Sequence, residues 1–296
     1  MQSKGHHMNL RGWIQASRPF SNTNIIFPLL LGQAFAFHSS KSLHVLFFFL
    51  ILLYGLVDQL FIVFMNDAAD HDADILNTAP TLFSGGSRVI PEGKLNRHEL
   101  MIAGFVNIVF VSTIGLYFYA HSRPLMPLLF TIGLLLLWAY SYAPLKLNYR
   151  GGGELLQGIG CGLLLPLIGY YTQAGTGRNY PWIFFIGFAL LHTASSIATS
   201  LADIPADTIA GKKTLAVQVG NKNACQIITA LIVLTIIIGL TSTYFFSLTI
   251  LCISIISSIL LLIIAHRNAS NTILHNAAII GITITYATGY LLFLFF

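Results

Sequence analysis

A short acidic stretch, Asn66-Asp67-Ala68-Ala69-Asp70-His71-Asp72-Ala73-Asp74, follows directly on an apolar run from Leu43 to Met65. In a helix, the i, i+4 and i+8 spacing places Asn66, Asp70 and Asp74 on roughly one face. Like charges this close repel each other, and a carboxylate near hydrocarbon is energetically costly. The stretch therefore predicts a bound cation. Mg²⁺ is the natural candidate, because it prefers oxygen ligands and commonly shares its shell with phosphates.

A second acidic pair, Asp203 and Asp207, follows another apolar run, from Pro181 to Leu201, again with i, i+4 spacing. A formally basic chain thus places six of its ten acidic residues in two short patches. Metal ions held between the two patches would bind a diphosphate. The alternative interpretation is that these are solvated acids in the loops at two helix ends.

Basic residues lie close to both acidic patches in the sequence. Arg88 and Lys94 fall in the long segment after the first patch, among glycines that permit close backbone approach, and both can meet phosphate oxygens. Lys212 follows the second patch. Tyr140 and Lys146 lie where another apolar run ends, and they either line a pocket mouth or belong to the interfacial aromatic belt.

Composition identifies the chain as a membrane protein. Of its 296 residues, 55% are hydrophobic and only 8% are charged, against about 25% charged residues in soluble domains. A spanning helix needs about 20 apolar residues, so the sequence predicts an all-α membrane protein, a single domain over residues 1–296. Nine transmembrane helices are predicted, at residues 23–38, 43–65, 99–120, 125–142, 153–173, 181–201, 223–243, 245–265 and 272–295.

The distribution of Lys and Arg predicts the orientation in the membrane. Most of them precede the first span or lie in the even-numbered loops, while Lys41, Arg123 and Arg178 lie on the opposite side. The positive-inside rule makes the N-terminus and both acidic patches cytoplasmic, and a bacterial-type inner membrane is the expected location. The net charge of +5 reflects this placement, so the charge does not indicate a nucleic-acid partner.

Several residues within or beside the spans have structural interpretations. Asp58, in the second span, is either functional or bonded to a neighbouring helix. Glu154 is a candidate helix cap, and residues 9–20 suit a short interfacial helix. Small residues on the fifth span predict close helix packing at Gly158, Gly160, Gly162 and Gly169.

The two acidic motifs, Asn66-x-x-x-Asp70-x-x-x-Asp74 and Asp203-x-x-x-Asp207, resemble the two signatures of the UbiA superfamily of membrane prenyltransferases. The resemblance covers the whole chain and implies a nine-helix bundle with an active-site cap on the cytoplasmic side. Further similar segments are Ser17-Arg18-Pro19, Arg88…Pro91-x-Gly93-Lys94, Tyr140-Ser-x-x-Pro144-Leu-Lys146 and Asp207-x-x-x-Gly211-Lys-x-Thr-Leu-Ala-Val.

Two other segments resemble one branch of this superfamily. Gly152-Gly-Glu154 and Gly169-Tyr-Tyr-Thr-Gln-Ala-Gly175 are more similar to the branch that prenylates 1,4-dihydroxy-2-naphthoate for menaquinone than to the 4-hydroxybenzoate branch. The resemblance therefore implies transfer of a polyprenyl group from a prenyl diphosphate to an aromatic acceptor, with 1,4-dihydroxy-2-naphthoate as the expected acceptor.

The resemblance also implies roles for individual residues. Mg²⁺ would be held by Asn66, Asp70, Asp74, Asp203 and Asp207. The prenyl diphosphate donor would be bound by Arg88, Lys94, Lys212, Tyr140 and Lys146. Asp67 would deprotonate or orient the acceptor, and the catalytic set is expected to be Asp67, Asp70, Asp203, Arg88 and Lys94.

Other functions remain open at this point. An ion transporter would use the aspartates as its ion path, but transporters tend to place ion sites near the bilayer midplane in broken helices. A catalytically inactive relative with a lipid-binding or assembly role is expected to have lost an aspartate, and none is missing. Among enzymes, alternative acceptors are 4-hydroxybenzoate, homogentisate, a haem, a chlorophyllide or a lipid alcohol. The sequence predicts neither the prenyl chain length nor the oligomeric state.

Overall fold

The computed structural model describes residues 9–77 and 85–241, and within these ranges the regular structure is entirely helical. The first half contains α1 (Leu10–Ala16), a 3₁₀ turn (Pro19–Asn22), α2 (Thr23–Ser40), α3 (Val45–Leu76), α4 (Arg97–Ala120) and α5 (Met126–Ser141). The second half contains α6 (Leu147–Arg150), α7 (Gly153–Ile159), a π-helical turn (Gly160–Leu164), α8 (Leu165–Ala174), α9 (Trp182–Leu201), α10 (Ile204–Ile209) and α11 (Leu215–Thr241).

Four helical segments of the described chain are long and apolar enough to cross a membrane: 45–76, 97–120, 153–174 and 182–201. They coincide with four of the predicted spans. α5 is a shorter apolar helix of 16 residues, and α2 occupies the first predicted span. The seventh predicted span begins within α11, and the spans predicted at 245–265 and 272–295 lie outside the described residues.

α3 continues past its predicted end at Met65 and stops only at Leu76. The added turns contain good helix formers, Ala68, Ala69 and Ala73, and neither glycine nor proline. Hydrophobicity marks where the apolar run ends, whereas helix propensity lets the same helix continue into the polar region. The first acidic patch therefore lies on a continuous helix.

α1 lies against the polar end of α3. Its first turn is capped by the Asn9 side chain, which accepts a hydrogen bond from the Gly12 amide, and Trp13 packs edge-on against Phe64 of α3. The predicted interfacial helix at 9–20 is thus observed over a shorter range. It ends at Ala16, before Pro19.

Glycines bring two helix pairs into close contact. A Cβ at Gly169 of α8 would collide with the Leu29 carbonyl of α2, and one at Gly162 would collide with the Ala189 backbone of α9. Such approaches are typical of small residues at membrane helix interfaces, so the packing predicted for these glycines is confirmed. Gly160 differs, since a Cβ there would meet only Leu136, at an ordinary 3.7 Å.

Candidate active site

Three residues of α3 stack along one face of the helix, as their spacing predicts. Asn66, Asp70 and Asp74 all line a cavity of about 440 Å³. Asp70 and Asp74 are buried. Asp72 lies on the same helix but faces outward, with a side chain 95% exposed. Asn66, Asp70 and Asp74 of the acidic stretch therefore line the cavity, whereas Asp72 faces away from it.

The second acidic patch reaches the same cavity from α9 and α10. Asp203 follows the end of α9 and precedes α10, while Asp207 lies within α10. The two are joined by a backbone hydrogen bond from the Asp207 amide to the Asp203 carbonyl, 2.8 Å. Asn77, just past α3, donates its side-chain amide to Asp203 Oδ1 at 3.2 Å. The two patches therefore meet at one end of the helix bundle.

Lys212 lies between the two patches. Its Nζ is 3.1 Å from Asp70 Oδ2 and 3.8 Å from Asp207 Oδ1. Burial alone would lower the pKa of Lys212, but Asp70 and Asp207 outweigh it and raise the pKa above its ordinary value. Burial also raises the pKa of Asp207 to about 6, against the opposing effect of Lys212. The lysine is thus a firmly charged cation inside the site, beside a carboxyl that is costly to ionise.

Asn148 of α6 contacts the same carboxylate from the other side. Its amide nitrogen donates to Asp70 Oδ1 at 3.1 Å and to Oδ2 at 3.4 Å. The following residue, Tyr149, accepts the Lys213 amide at its carbonyl, 3.0 Å. The ring of Tyr149 lies 5.1 Å from Lys212 Nζ. The segment after α5 therefore closes one wall of the cavity.

Arg18 lines the cavity from the turn between α1 and α2, and its backbone is left-handed at φ 43°. Its guanidinium forms an ion pair with Asp67. Burial lowers the pKa of Arg18, while the charges of Asp74 and Asp70 act in the opposite direction. Among the described residues, no hydrogen-bond acceptor contacts Arg18 Nε. This arginine therefore offers a free donor beside the acidic patches.

Asp67 lies outside the described lining of the cavity. Its side chain is 2% exposed, and one carboxylate oxygen is taken by Arg18. Asp67 therefore falls on the helix face that meets the α1–α2 turn, and its role toward an acceptor molecule stays a prediction.

Arg88 contacts the first patch through the backbone. Its guanidinium donates to the carbonyl of Asp74 and, at 3.0 Å, to the carbonyl of Asn77. Positive charge at these carbonyls suits the C-terminal end of α3. Nearby, Gly86 has a φ of +72° and packs so closely on Asp74 that any Cβ would collide with the carboxylate. Arg88 and Gly86 therefore position the end of α3.

Two predicted donor-binding lysines are placed elsewhere by the structure. Lys94 Nζ lies 2.6 Å from Glu92 Oε2 and donates to Gln15 Oε1 at 2.6 Å, which ties its loop to α1. Lys146 Nζ lies 3.7 Å from the ring centroid of Tyr149. Both side chains fall outside the described lining of the cavity, since each has a local partner that holds it at the periphery. Tyr140, by contrast, lines the cavity as predicted.

Further polar residues line the cavity that the sequence analysis did not assign to it. Glu154 lines the cavity from the first turn of α7. Its Oε1 accepts a hydrogen bond from the Leu215 amide at 2.7 Å, so Glu154 also caps the start of α11. Gln157 accepts a hydrogen bond from Ser196 at 2.7 Å. The segment Ser17-Arg18-Pro19 pointed to Arg18 as a site residue. No sequence pattern pointed to Asn148, because a single asparagine between two apolar runs is common.

The cavity becomes apolar away from the charged end. Its deeper wall includes Ile62 of α3 and leucine side chains from α5, the π-helical turn and the start of α8. Asp58 also lies there, 4% exposed, and accepts a hydrogen bond from the Tyr54 hydroxyl. Its partner Tyr54 lies four residues earlier on α3 itself and not on a neighbouring helix, and Asp58 also lines the cavity. The deeper aliphatic lining comprises Leu136, Leu137, Leu164 and Leu165.

The donor set suits a hard divalent cation. Carboxylate and amide oxygens are the ligands that Mg²⁺ takes, and a bound cation would favour the charged form of Asp207, which burial disfavours. Within the described ranges, three carboxylates do not converge on one point, because Lys212 lies between Asp70 and Asp207. The ligand types of these residues therefore fit Mg²⁺. In the structure the ammonium group of Lys212 is the positive charge beside Asp70 and Asp207.

Comparison with known proteins places these features in a family. The sequence profile of the UbiA prenyltransferase family matches residues 25–292. The 1,4-dihydroxy-2-naphthoate octaprenyltransferase of Bacillus subtilis (strain 168) is 28% identical over 73% of this chain and 68% of its own length. The 2-carboxy-1,4-naphthoquinone phytyltransferase of Synechocystis sp. is 24% identical over 75% of this chain and 70% of its own.

Solved structures share the fold. A UbiA homolog from Archaeoglobus fulgidus, bound to GPP and Mg²⁺, has a TM-score of 0.65 at 17% identity, covering 96% of this chain and 100% of that chain. A UbiA homolog from Aeropyrum pernix K1 has a TM-score of 0.64 at 14% identity, covering 91% and 97%. At these identities the likeness concerns the fold.

Proposed function

The chain belongs to the UbiA prenyltransferase family, and we propose that it transfers a polyprenyl group from a prenyl diphosphate to 1,4-dihydroxy-2-naphthoate in menaquinone biosynthesis. The family membership makes it a prenyltransferase, and its apolar helices make it an integral membrane protein. The naphthoate acceptor is supported by the named activities of the Bacillus subtilis and Synechocystis relatives. The Gly152-Gly-Glu154 segment supports the same branch.

One observation carries this proposal. Two acidic patches that are far apart in the sequence line a single cavity with two cationic side chains. This combination suits a polyanionic donor whose charge is shared between metal ions and basic residues. The residues that carry this observation are Asn66, Asp70, Asp74, Asp203, Asp207, Arg18 and Lys212.

The polar end of the cavity would hold the diphosphate. Mg²⁺ would be held by Asn66, Asp70, Asp74, Asp203 and Asp207, and when bound it would supply positive charge to the leaving diphosphate. Arg18 offers its unpaired Nε to a phosphate oxygen, and Lys212 offers an ammonium group that is already charged and buried. Both cations favour the diphosphate more strongly as its charge develops during departure.

The apolar end of the cavity would hold the prenyl tail. Leucine and isoleucine side chains from α3, α5 and the π-helical turn exclude water from the reacting carbon. Water exclusion matters because an allylic cation that meets water is hydrolysed. Tyr140 also lines this cavity and adds an aromatic side chain to its wall.

Positions outside the cavity lining receive supporting roles in this proposal. Asp67 holds Arg18 in place, Arg88 holds the end of α3, and Lys94 ties its loop to α1. Lys146 packs on Tyr149 and so supports the wall that carries Asn148. These contacts explain why residues close in sequence to the acidic patches need not touch the substrate.

The membrane placement is part of the same proposal. We infer nine spans in a bacterial-type inner membrane, with the N-terminus and the polar end of the cavity in the cytoplasm. The prenyl diphosphate fits this placement, since its charged head suits the aqueous edge of the membrane and its tail suits the lipid. No nucleic-acid partner is expected.

Product formation by the purified full-length protein tests the proposal. A radiolabelled polyprenyl diphosphate is offered with and without Mg²⁺, together with 1,4-dihydroxy-2-naphthoate, 4-hydroxybenzoate and homogentisate in parallel. A Mg²⁺-dependent lipid product is expected with the naphthoate. A product with another acceptor alone would keep the reaction and overturn the naphthoate assignment. No product with any acceptor would contradict the proposed reaction.

A further inference from the structure

Asn148 lines the cavity, and its buried side-chain oxygen has no hydrogen-bond partner among the described residues. The side chain is 4% exposed, and its nitrogen donates to both oxygens of Asp70. A carboxylate can only accept hydrogen bonds, so the nitrogen must be the end that faces Asp70. This fixes the amide orientation and turns Asn148 Oδ1 away from that bond.

The oxygen of Asn148 is buried, and within residues 9–77 and 85–241 it has no hydrogen-bond donor. Buried polar groups in native proteins are almost always satisfied, and leaving one unpaired is destabilising. Because Asn148 lines the same cavity as Asp70 and Asp207, a molecule or ion bound in that cavity can supply the missing partner.

The chemistry of an amide oxygen restricts what this partner is. Asn148 Oδ1 only accepts, so it does not suit a phosphate oxygen. It suits a hydroxyl or a hard cation, and the adjacent carboxylates favour the positive species. Asparagine carbonyls are ordinary oxygen ligands of hard divalent cations.

We propose that Asn148 is an additional oxygen ligand of the divalent-cation site, contributed by α6 beside Asp70. The inference rests on the proposed function and adds a ligand that lies outside both acidic patches. It also gives both ends of the amide a role, since the nitrogen donates to Asp70 while the oxygen is left for the ion.

The backbone around Asn148 is held without help from a ligand. Gly151, with φ +98°, follows α6. The Tyr149 carbonyl accepts the Lys213 amide at 3.0 Å, which ties this segment to the turn that carries Lys212. The oxygen is therefore positioned before any ion binds, as a preorganised ligand requires.

Mn²⁺ binding to the purified full chain, without prenyl donor, tests the proposal. Free Mn²⁺ is measured by electron paramagnetic resonance for the unaltered protein, Asn148→Leu and Asn148→Asp. We expect Asn148→Leu to weaken Mn²⁺ binding roughly tenfold or more. Asn148→Asp is expected to bind at least as tightly as the unaltered protein, because a carboxylate oxygen replaces the amide oxygen.

The aspartate variant separates a ligand from a residue that only positions Asp70. If Asn148 acted solely through its nitrogen, both variants would bind Mn²⁺ more weakly. Asn148→Asp would then be the worse, since two carboxylates would repel each other. That order of affinities, or unchanged binding in Asn148→Leu, would overturn the proposal.

Two controls complete the design. Asn107→Leu alters a buried asparagine of α4 outside the described cavity lining and should leave Mn²⁺ binding unchanged. Thermal unfolding checks each variant, and Asn148→Ser replaces the leucine variant if that one does not fold. Failure of the unaltered protein to bind Mn²⁺ would contradict the metal site of the proposed function itself. Binding that is indifferent to residue 148 would contradict only this inference.

Discussion

Asp70 and Asp72 show how position on one helix separates a site residue from a surface residue. Asp70 is buried and contacts Asn148 and Lys212, whereas the Asp72 side chain is 95% exposed and contacts only its neighbour His71 among the described residues. Two residues along a helix correspond to about 200° of rotation. The same residue type therefore serves different purposes a few ångströms apart.

This contrast gives a prediction with an internal control. Asp70→Ala and Asp203→Ala should abolish prenyl transfer while leaving the protein folded, because each removes a metal ligand at the polar end of the bundle. Asp72→Ala should retain activity. Product formation and thermal unfolding are measured for all three variants. Normal turnover in the Asp70 or Asp203 variant would refute their role as metal ligands.

The Arg18–Asp67 ion pair leads to a second prediction. If Asp67 acts only by holding Arg18, Asp67→Asn should raise the KM for the prenyl diphosphate, and so should Arg18→Gln. The double variant should then be no worse than Arg18→Gln alone, since the two residues act as a unit.

Steady-state kinetics of the four proteins in this cycle measure the coupling. Multiplicative losses in kcat would instead indicate that Asp67 acts on the acceptor independently of Arg18. Thermal unfolding of the same four proteins is also measured, because removing one partner of a buried ion pair typically costs about 3–5 kcal/mol of stability.

At the residue scale, the sequence predicted those positions whose relation is local. Asp203 and Asp207 are four residues apart and both line the cavity, because a single turn of chain places them close together. Lys94 and Lys146 lie outside the described cavity lining, because their contacts with Glu92 and Tyr149 hold them at the periphery; a role for either lysine in donor binding stays a prediction. The contact of Asn148 with Asp70 joins residues on different helices, and no periodic pattern carries that information.

At the element scale, hydrophobicity located the helices but not their ends. α3 continues to Leu76 through alanine-rich polar turns, so its apolar length underestimates its true length. The π-helical turn at Gly160–Leu164 interrupts the span from α7 to α8, and it places Gly160 and Cys161 on the cavity wall. Such turns are frequent at functional sites, but a run of apolar residues and glycines does not predict them.

The same turn allows a matched test of helix packing. Gly162→Leu should destabilise the protein, since any side chain there would collide with the Ala189 backbone of α9. Gly160→Ala should have little effect, because the added Cβ would meet only Leu136 at 3.7 Å. Overpacking of this kind typically costs about 1–3 kcal/mol. Thermal unfolding in detergent compares the two variants, and equal midpoints would contradict the close approach of the π-helical turn to α9.

At the scale of the whole molecule, charge and polarity are concentrated at one end of the bundle. The acidic patches, Arg18 and Lys212 meet there and line the same cavity. At the opposite end, Arg123 donates to the carbonyls of Thr172 and Gln173 at the end of α8, 2.7 and 3.1 Å. That arginine closes a helix terminus, so the two ends of the molecule use cations for different purposes.

This polarity predicts which end faces the cytoplasm. The acidic end carries most of the Lys and Arg residues, so the positive-inside rule places it inside the cell. In a background whose native cysteines are replaced, Arg178→Cys should react with a membrane-impermeant maleimide on intact cells. Arg150→Cys, at the end of α6, should react only after the membrane is opened. The reverse pattern would place the active site outside, where a cytoplasmic prenyl diphosphate could not reach Asp70 and Lys212.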